Sequence, residues 1–352
     1  MNKICFIFLM LGFSFQARSA LIDNQSNFES DIEIGMIMNV ISQPTSMRGA
    51  TAFEVPLVKA NFELTQAEGN AFHFTFRGTD NRDTNSKKFQ LEAEKAAIVL
   101  KSYFPSTFWL EVGLIANPWN EASDELWEFD FWGPSSNPAL NRYNYLANSE
   151  LGFNAHWNLS ERFGTTISLM NGESALENEQ GPKKDAQIIV WYEDETWQTS
   201  FGYLRGSYES DEPAVSEKER QLFRLAYIWA PARIAIELYK TRDSSRAINT
   251  LDLAEDLDLN AYVNQSIEGQ GGSLTLQWNL SEVFTLRLRE DILNPALKFE
   301  DVGVISHIAA ISYEPAQGTN FSFILLKTTH GQNHSTASKT DERALVALGM
   351  HF

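Results

Sequence analysis

Cysteine is nearly absent from the chain: the one present, Cys5, lies among the first twenty residues. Disulfides and thiol chemistry are therefore excluded from everything downstream. Beyond that opening stretch no apolar run approaches the roughly 20 residues that a membrane-spanning helix needs, which excludes a helical membrane protein. Basic residues are scarce too, 28 Lys and Arg against 46 Asp and Glu, for a formal net charge of -18. A nucleic-acid partner needs a basic surface, so none is expected. Helical periodicity is also almost missing. What is abundant is aromatic residues, 12% of the chain, interleaved with polar ones.

The first twenty residues stand apart. Lys3 is followed by an apolar run from Ile4 to Phe15 and by small residues at Ala17, Ser19 and Ala20, the layout of a secretory leader. Residues 1–19 read as a signal peptide cut after Ser19, although a cut after Ala20 also fits. Cys5 precedes any small-residue cleavage box, so it does not read as a lipid acceptor.

From residue 29 onward, short runs alternate between apolar and polar with a period of two, the signature of half-apolar strands. Ile32, Ile34, Met36, Met38 and Val40 share one face; Phe72, Phe74 and Phe76 stand opposite His73, Thr75 and Arg77. Near 89–101 the period breaks at Lys95-Ala96-Ala97-Ile98, where a β-bulge is expected. The runs number sixteen, or fourteen if the irregular fourth and a neighbour are misread. Short connections (66–70, 105–106, 158–161, 193–195, 230–231, 279–282, 315–318) alternate strictly with long ones (41–52, 79–88, 117–143, 172–183, 208–217, 242–261, 293–302, 329–341).

The last ten residues form one more such strand, with Ala344, Val346, Leu348, Met350 and Phe352 on one face. A strand with a continuous apolar face and a terminal Phe resembles the closing strand of Gram-negative outer-membrane β-barrels. That resemblance implies that Phe352 is an assembly signal read by the barrel-assembly machinery. The expected fold is thus all-β, a transmembrane antiparallel up-and-down barrel with short periplasmic turns and long extracellular loops. Residues 20–28 are then a short periplasmic segment and 29–352 the barrel. Trp157, Phe163, Tyr192, Trp197, Trp229, Trp278, Phe284, Tyr313 and Phe321 gather beside the short turns, as an aromatic girdle at a membrane interface does. A soluble β-sandwich has no reason to collect them there.

Sixteen strands enclose a channel too wide for wall side chains to plug. The connection 117–143 carries Glu121, Asp124, Glu125, Glu128 and Asp130 against Arg142 alone, interleaved with Trp119, Trp127, Phe129, Phe131 and Trp132. The layout resembles general bacterial porins, whose third loop folds into the barrel; a solvated external loop is the alternative. Glu111, Arg224, Arg287 and Arg289 fall on polar faces, so the expected constriction sets basic wall residues across water from an acidic loop. Otherwise these arginines pair with lumenal carboxylates and stiffen the wall. The segments Leu110–Trp119 and Ser168–Glu173 resemble strand-to-loop junctions of phosphate-selective porins, but the third loop here has no lysine, so that preference is not carried over.

These readings make the chain a porin for small polar solutes or ions, leaning to cations, in outer-membrane lipid with lipopolysaccharide outside. The resemblance implies a homotrimer. An outer-membrane hydrolase and a structural or adhesive barrel are the alternatives. His73 and His156 lack a marked serine partner. His330 and His334 lie in a Gly-, Asn- and Ser-rich loop without a helix to align them, and Asp252 to Asp258 lack calcium-loop spacing. No metal or cofactor is expected.

Overall fold

Residues 26–43, 54–66, 69–81, 88–127, 140, 145–172, 184–207, 217–244, 265–333 and 340–351 are described by the computed structural model of the chain. They form sixteen strands: β1 (Ser26–Gln43), β2 (Glu54–Gln66), β3 (Ala71–Asn81), β4 (Lys88–Leu100), β5 (Phe108–Ala116), β6 (Ser149–Asn158), β7 (Phe163–Met170) and β8 (Asp185–Glu193). The second half continues with β9 (Trp197–Ser207), β10 (Glu217–Trp229), β11 (Ala232–Ser244), β12 (Ser266–Asn279), β13 (Phe284–Asn294), β14 (Val304–Ala316), β15 (Thr319–His330) and β16 (Thr340–His351). Each strand pairs antiparallel with its neighbours in sequence, and β16 pairs with β1 to close the barrel. The closing register runs from Glu33↔His351 to Gln43↔Glu342. Closure matters because an open sheet edge in hydrocarbon leaves every unpaired backbone group costing several kcal/mol. The count is sixteen, not fourteen.

The two-residue period has a physical origin visible in burial. On β7, Phe163, Ile167 and Leu169 are exposed on the outer face, whereas Thr166, Ser168 and Met170 are buried on the inner one. Large exposed hydrophobics recur around the wall, including Ile98, Leu151, Phe201, Leu238, Leu274 and Leu325. An apolar exterior with many polar and charged side chains turned inward inverts the arrangement of a soluble protein.

Several boundaries differ from those read in the sequence. β1 begins at Ser26, three residues before the expected barrel start, because Phe28 already pairs with Leu64 and stacks on Phe62 at 6.3 Å. The bulge in β4 sits one residue earlier than expected: Thr75 pairs with Lys95 and Phe76 with Ala93, so Glu94 is the extra residue. Two successive side chains, Glu94 and Lys95, consequently border one inner cavity. The β4–β5 connection spans 101–107, longer than the expected two residues. Asn70 ties it to the β2–β3 turn, its side-chain oxygen accepting from the amides of Lys101 and Ser102 at 3.0 and 3.1 Å. The leader and Phe352 lie outside the described residues.

The nine expected aromatics stand at the short-connection ends of their strands. Phe163 is the ladder partner of Tyr192, Phe284 of Tyr313, and Tyr313 of Phe321. Trp197 packs on Tyr227 at 4.5 Å, and Tyr227 on Trp229 at 5.2 Å. Trp157 and Trp278 are exposed at the same ends of β6 and β12.

Candidate functional site: a helix seated against the inner wall

The connection after β5 opens with one helix, α1 (Pro118–Trp127). Asn117 caps it: its side-chain oxygen accepts from the Trp119 amide at 3.0 Å, and its carbonyl takes the first helical bond, from Glu121. Pro118 then fills the first helical position, where no amide is needed. Trp119, Ser123, Leu126 and Trp127 recur at helical spacing and are buried, leaving Glu121 and Asp124 on another face. Ten residues make a rod about 15 Å long.

The buried face docks on β9 to β16. Arg224 of β10 donates from Nε and Nη2 to Glu237 Oε1 of β11, at 2.9 and 2.7 Å. The same Nη2 donates to the Trp119 carbonyl at 2.7 Å and to the Ser123 hydroxyl. Ser123 in turn donates to Glu237 at 2.5 Å. Glycine at 202 makes room, since a Cβ there would come within 3.0 Å of the Trp119 ring. Trp127 joins a cluster of Ile308, Ala310, Ile324, Leu326, Leu345 and Ala347 from β14 to β16, and Arg289 lies 5.5 Å from its ring. Full burial of a large apolar side chain contributes about 1.5–3 kcal/mol. Past α1, Arg220 of β10 holds the returning chain, donating to the Tyr145 carbonyl at 3.1 Å while pairing with Asp243 at 2.7 Å.

The other side of α1 faces β2, β3 and β4 across a cavity of about 260 Å³. Lys59, Asn61, Glu63, His73, Thr75, Glu94 and Lys95 line the wall side; Asn120, Glu121 and Asp124 line the helix side. Four carboxylates thus meet two lysines and a histidine. Lys95 bridges the two sides, 2.8 Å from Glu111 and 3.0 Å from Glu121. Glu94 is 2.9 Å from Arg77 and 3.9 Å from Lys59, and His73 is 3.6 Å from Glu63. Farther along the helix, burial pushes the Glu125 carboxyl up, helped by Glu121 and Glu193 and opposed by Arg224.

Among the residues singled out in the sequence, Glu121 and Asp124 border this cavity. Glu111, Arg224, Arg287 and Arg289 point inward but are not set across open water from the acidic loop. Each is at most 5% exposed. Arg224 is covered by Trp119, its guanidinium 4.3 Å from the ring. Arg287 donates to Ser312 at 2.7 Å and lies 3.6 Å from Glu314, while Arg289 pairs with Asp291 at 2.8 Å. Glu111 is held by Lys95 and by Asn154, which donates at 3.1 Å. Glu128 and Asp130 lie outside the described residues, as do His334 and Asp252 to Asp258. The residues missed were Lys95 and Glu94, whose inward placement depends on the bulge and on pairing across strands, together with Glu63, which the period of β2 already turns inward, and Ser123. A signal for α1 was present in the Asn117-Pro118 pair and the spacing of its buried residues.

The closed sixteen-strand barrel is a fold shared with solved bacterial outer-membrane porins. It is similar to the anion-selective porin from Comamonas acidovorans, with TM-score 0.64 and 11% identity over 93% of this chain and 100% of that one. OmpF of Salmonella typhi, solved with daunomycin, gives TM-score 0.68 and 10% identity over 94% and 99%. The outer-membrane channel DcaP of Acinetobacter baumannii gives 0.59 and 10% over 94% and 99%. Identities this low establish the shared fold alone. No protein-family model matches the chain, and no characterised protein matches it in sequence.

Proposed function

We propose that the chain is a porin of the bacterial outer membrane, a water-filled channel for small hydrophilic solutes that favours cations. The observation that carries this is the cavity between α1 and β2–β4, where Glu63, Glu94, Glu121 and Asp124 outnumber Lys59 and Lys95 inside a barrel whose outer face is apolar. On this reading α1 narrows the channel, its indoles fixed to the far wall, so that solutes pass along the acidic side. An excess of fixed negative charge in a narrow aqueous gap concentrates cations and repels anions. The aromatics at the short-connection ends mark the periplasmic interface, and the long loops face outside. Phe352 presents the assembly signal to the barrel-assembly machinery, and three copies associate in the membrane.

The test is reconstitution in a planar bilayer under a salt gradient. Stepwise conductance with a cation-directed reversal potential is expected. A silent bilayer sinks the channel, and an anion-directed potential sinks the acidic aperture. For Phe352, its deletion is expected to lower membrane levels of the barrel while leaving the conductance of the assembled fraction unchanged; normal levels contradict its role.

A further inference from the structure

On the outer face of β13–β16, Glu290, His307, Lys327 and Glu342 are successive ladder partners, one per strand. His307 Nδ1 lies 3.2 Å from Glu290 Oε2 and Lys327 Nζ lies 2.7 Å from Glu342 Oε1. All four side chains are about half exposed, between 47% and 53%. The row stands six residues from the Phe284–Tyr313–Phe321 row, roughly 20 Å along the strands. With strands tilted by about 40°, that is about 15 Å along the membrane normal, inside an apolar band about 25 Å tall. Apolar surface continues beyond it toward the long loops, where Ile292 and Ile305 are exposed. A lysine at such a depth costs about 2–4 kcal/mol against lipid, and ionisable groups at membrane depth are normally set against protein. This face therefore calls for a protein cover.

The order of the charges indicates what the cover is. Lys327 and Glu342 stand side by side across the β15–β16 seam. Copies of the chain related by a rotation axis along the membrane normal, running beside that seam, bring β15 of one against β16 of the next. Lys327 then meets Glu342 of the next copy, and the charges alternate in sign around the axis. Shape obeys the same rule one row nearer the short turns. There Leu325 is 49% exposed, whereas its ladder partner Ala344 is only 7% exposed. β15 thus carries a knob and β16 a recess, and both border an outer-face cavity of about 680 Å³ that can take a neighbour's side chain. We propose that copies of this chain meet on this face, with Lys327 against Glu342 and Leu325 against Ala344 between β15 of one copy and β16 of the next. The assignment rests on the outer-membrane reading above. A foreign protein would have to carry its own matching pair of charges at the same depth, whereas a second copy supplies it by symmetry. The covered face extends over the Glu290–His307 pair on the neighbouring strands.

The full mature chain is folded in detergent and the number of barrels per particle is read by native mass spectrometry. An oligomer is expected. Lys327→Glu sets like charges across the contact and is expected to weaken association roughly tenfold or more, as is Glu342→Lys. The double exchange Lys327→Glu/Glu342→Lys is expected to restore it. Ala344→Phe, which fills the recess and leaves the charges alone, is expected to weaken association as well and serves if a reversed chain fails to fold. Chains carrying Leu325→Cys, expressed together with chains carrying Ala344→Cys, are expected to crosslink on oxidation; separate chains are used because the two positions are neighbours within one copy. Association unmoved by the reversals and by Ala344→Phe, a folded double exchange that does not reassociate, or a missing crosslink overturns the contact. Conductance is measured on the same preparations. A conducting wild type that stays a single barrel sinks the contact and leaves the channel, and a silent oligomer sinks the channel and leaves the contact.

Discussion

The Arg224 guanidinium lies 4.3 Å from the centre of the Trp119 ring and donates a hydrogen bond to the carbonyl of the same residue. One wall residue thus grips the helix by both its side chain and its backbone, while Glu237 neutralises it from the adjacent strand. Removing one member of a buried charge pair leaves the other uncompensated, at about 3–5 kcal/mol. Arg224→Ala is therefore expected to lower the unfolding midpoint in denaturant and to make the open channel noisy as α1 leaves its seat. Arg287→Ala, whose partners Ser312 and Glu314 belong to β14, should lower stability without adding noise. Equal noise in both variants would refute a specific grip on the helix.

Charge changes at the aperture should act with opposite signs. At about 10 Å in water one unit charge contributes about 0.4 kcal/mol, roughly twofold in a permeability ratio. Glu121→Gln with Asp124→Asn is expected to shift the reversal potential toward anions, and Lys59→Gln to shift it toward cations. Shifts in the same direction would place the selectivity elsewhere in the barrel.

The turn after β8 carries a pH signature. Asp194 accepts from the Tyr192 hydroxyl at 2.6 Å and from the amides of Thr196 and Trp197, both at 2.7 Å. These bonds, that from Tyr192 foremost, hold its carboxyl below the ordinary 3.8. A depressed acid favours the folded state above its unfolded value, and that advantage disappears as pH falls through the folded value. Wild type should accordingly be more stable than Asp194→Asn at neutral pH, with the gap closing only below about pH 3.8. A gap unchanged into strong acid would assign the effect to shape instead of charge.

At Gly113 the backbone has φ +133°, and an added Cβ would meet the Ala96 carbonyl at 2.3 Å. Gly113→Ala should then cost about 1–3 kcal/mol through backbone strain and disturb the β4–β5 ladder beside Lys95. Folding yield and thermal unfolding report it; a neutral outcome would mean that the ladder relaxes there freely.

The barrel was legible in the sequence because each strand separates two solvents, and a period of two records that division residue by residue. The closing strand and the aromatic ends of the short turns followed from the same record. The site was less legible. Period marks a side chain as inward without saying what covers it, so for Arg287 and Arg289 a place beside water and a pairing with lumenal carboxylates were both open, and the second is what the barrel has. Lys95 was hidden for a different reason: a single extra residue at Glu94 shifts the phase, and only pairing with Thr75 reveals which way it points. Connection length concealed α1, whose cap and apolar spacing are short-range features inside a stretch read as loop.

Pairing between β1 and β16 also sets an order of events. Glu33 finds its partner in His351, at the opposite end of the chain. Every hairpin in between forms from neighbours, whereas this seam waits for the last strand to be delivered, and contacts so distant in sequence are the slowest to form. Until then β1 carries an unpaired edge, the surface that invites another chain to add a strand. A cell exporting this protein must keep that edge occupied by something other than β16 for as long as β16 is still on its way.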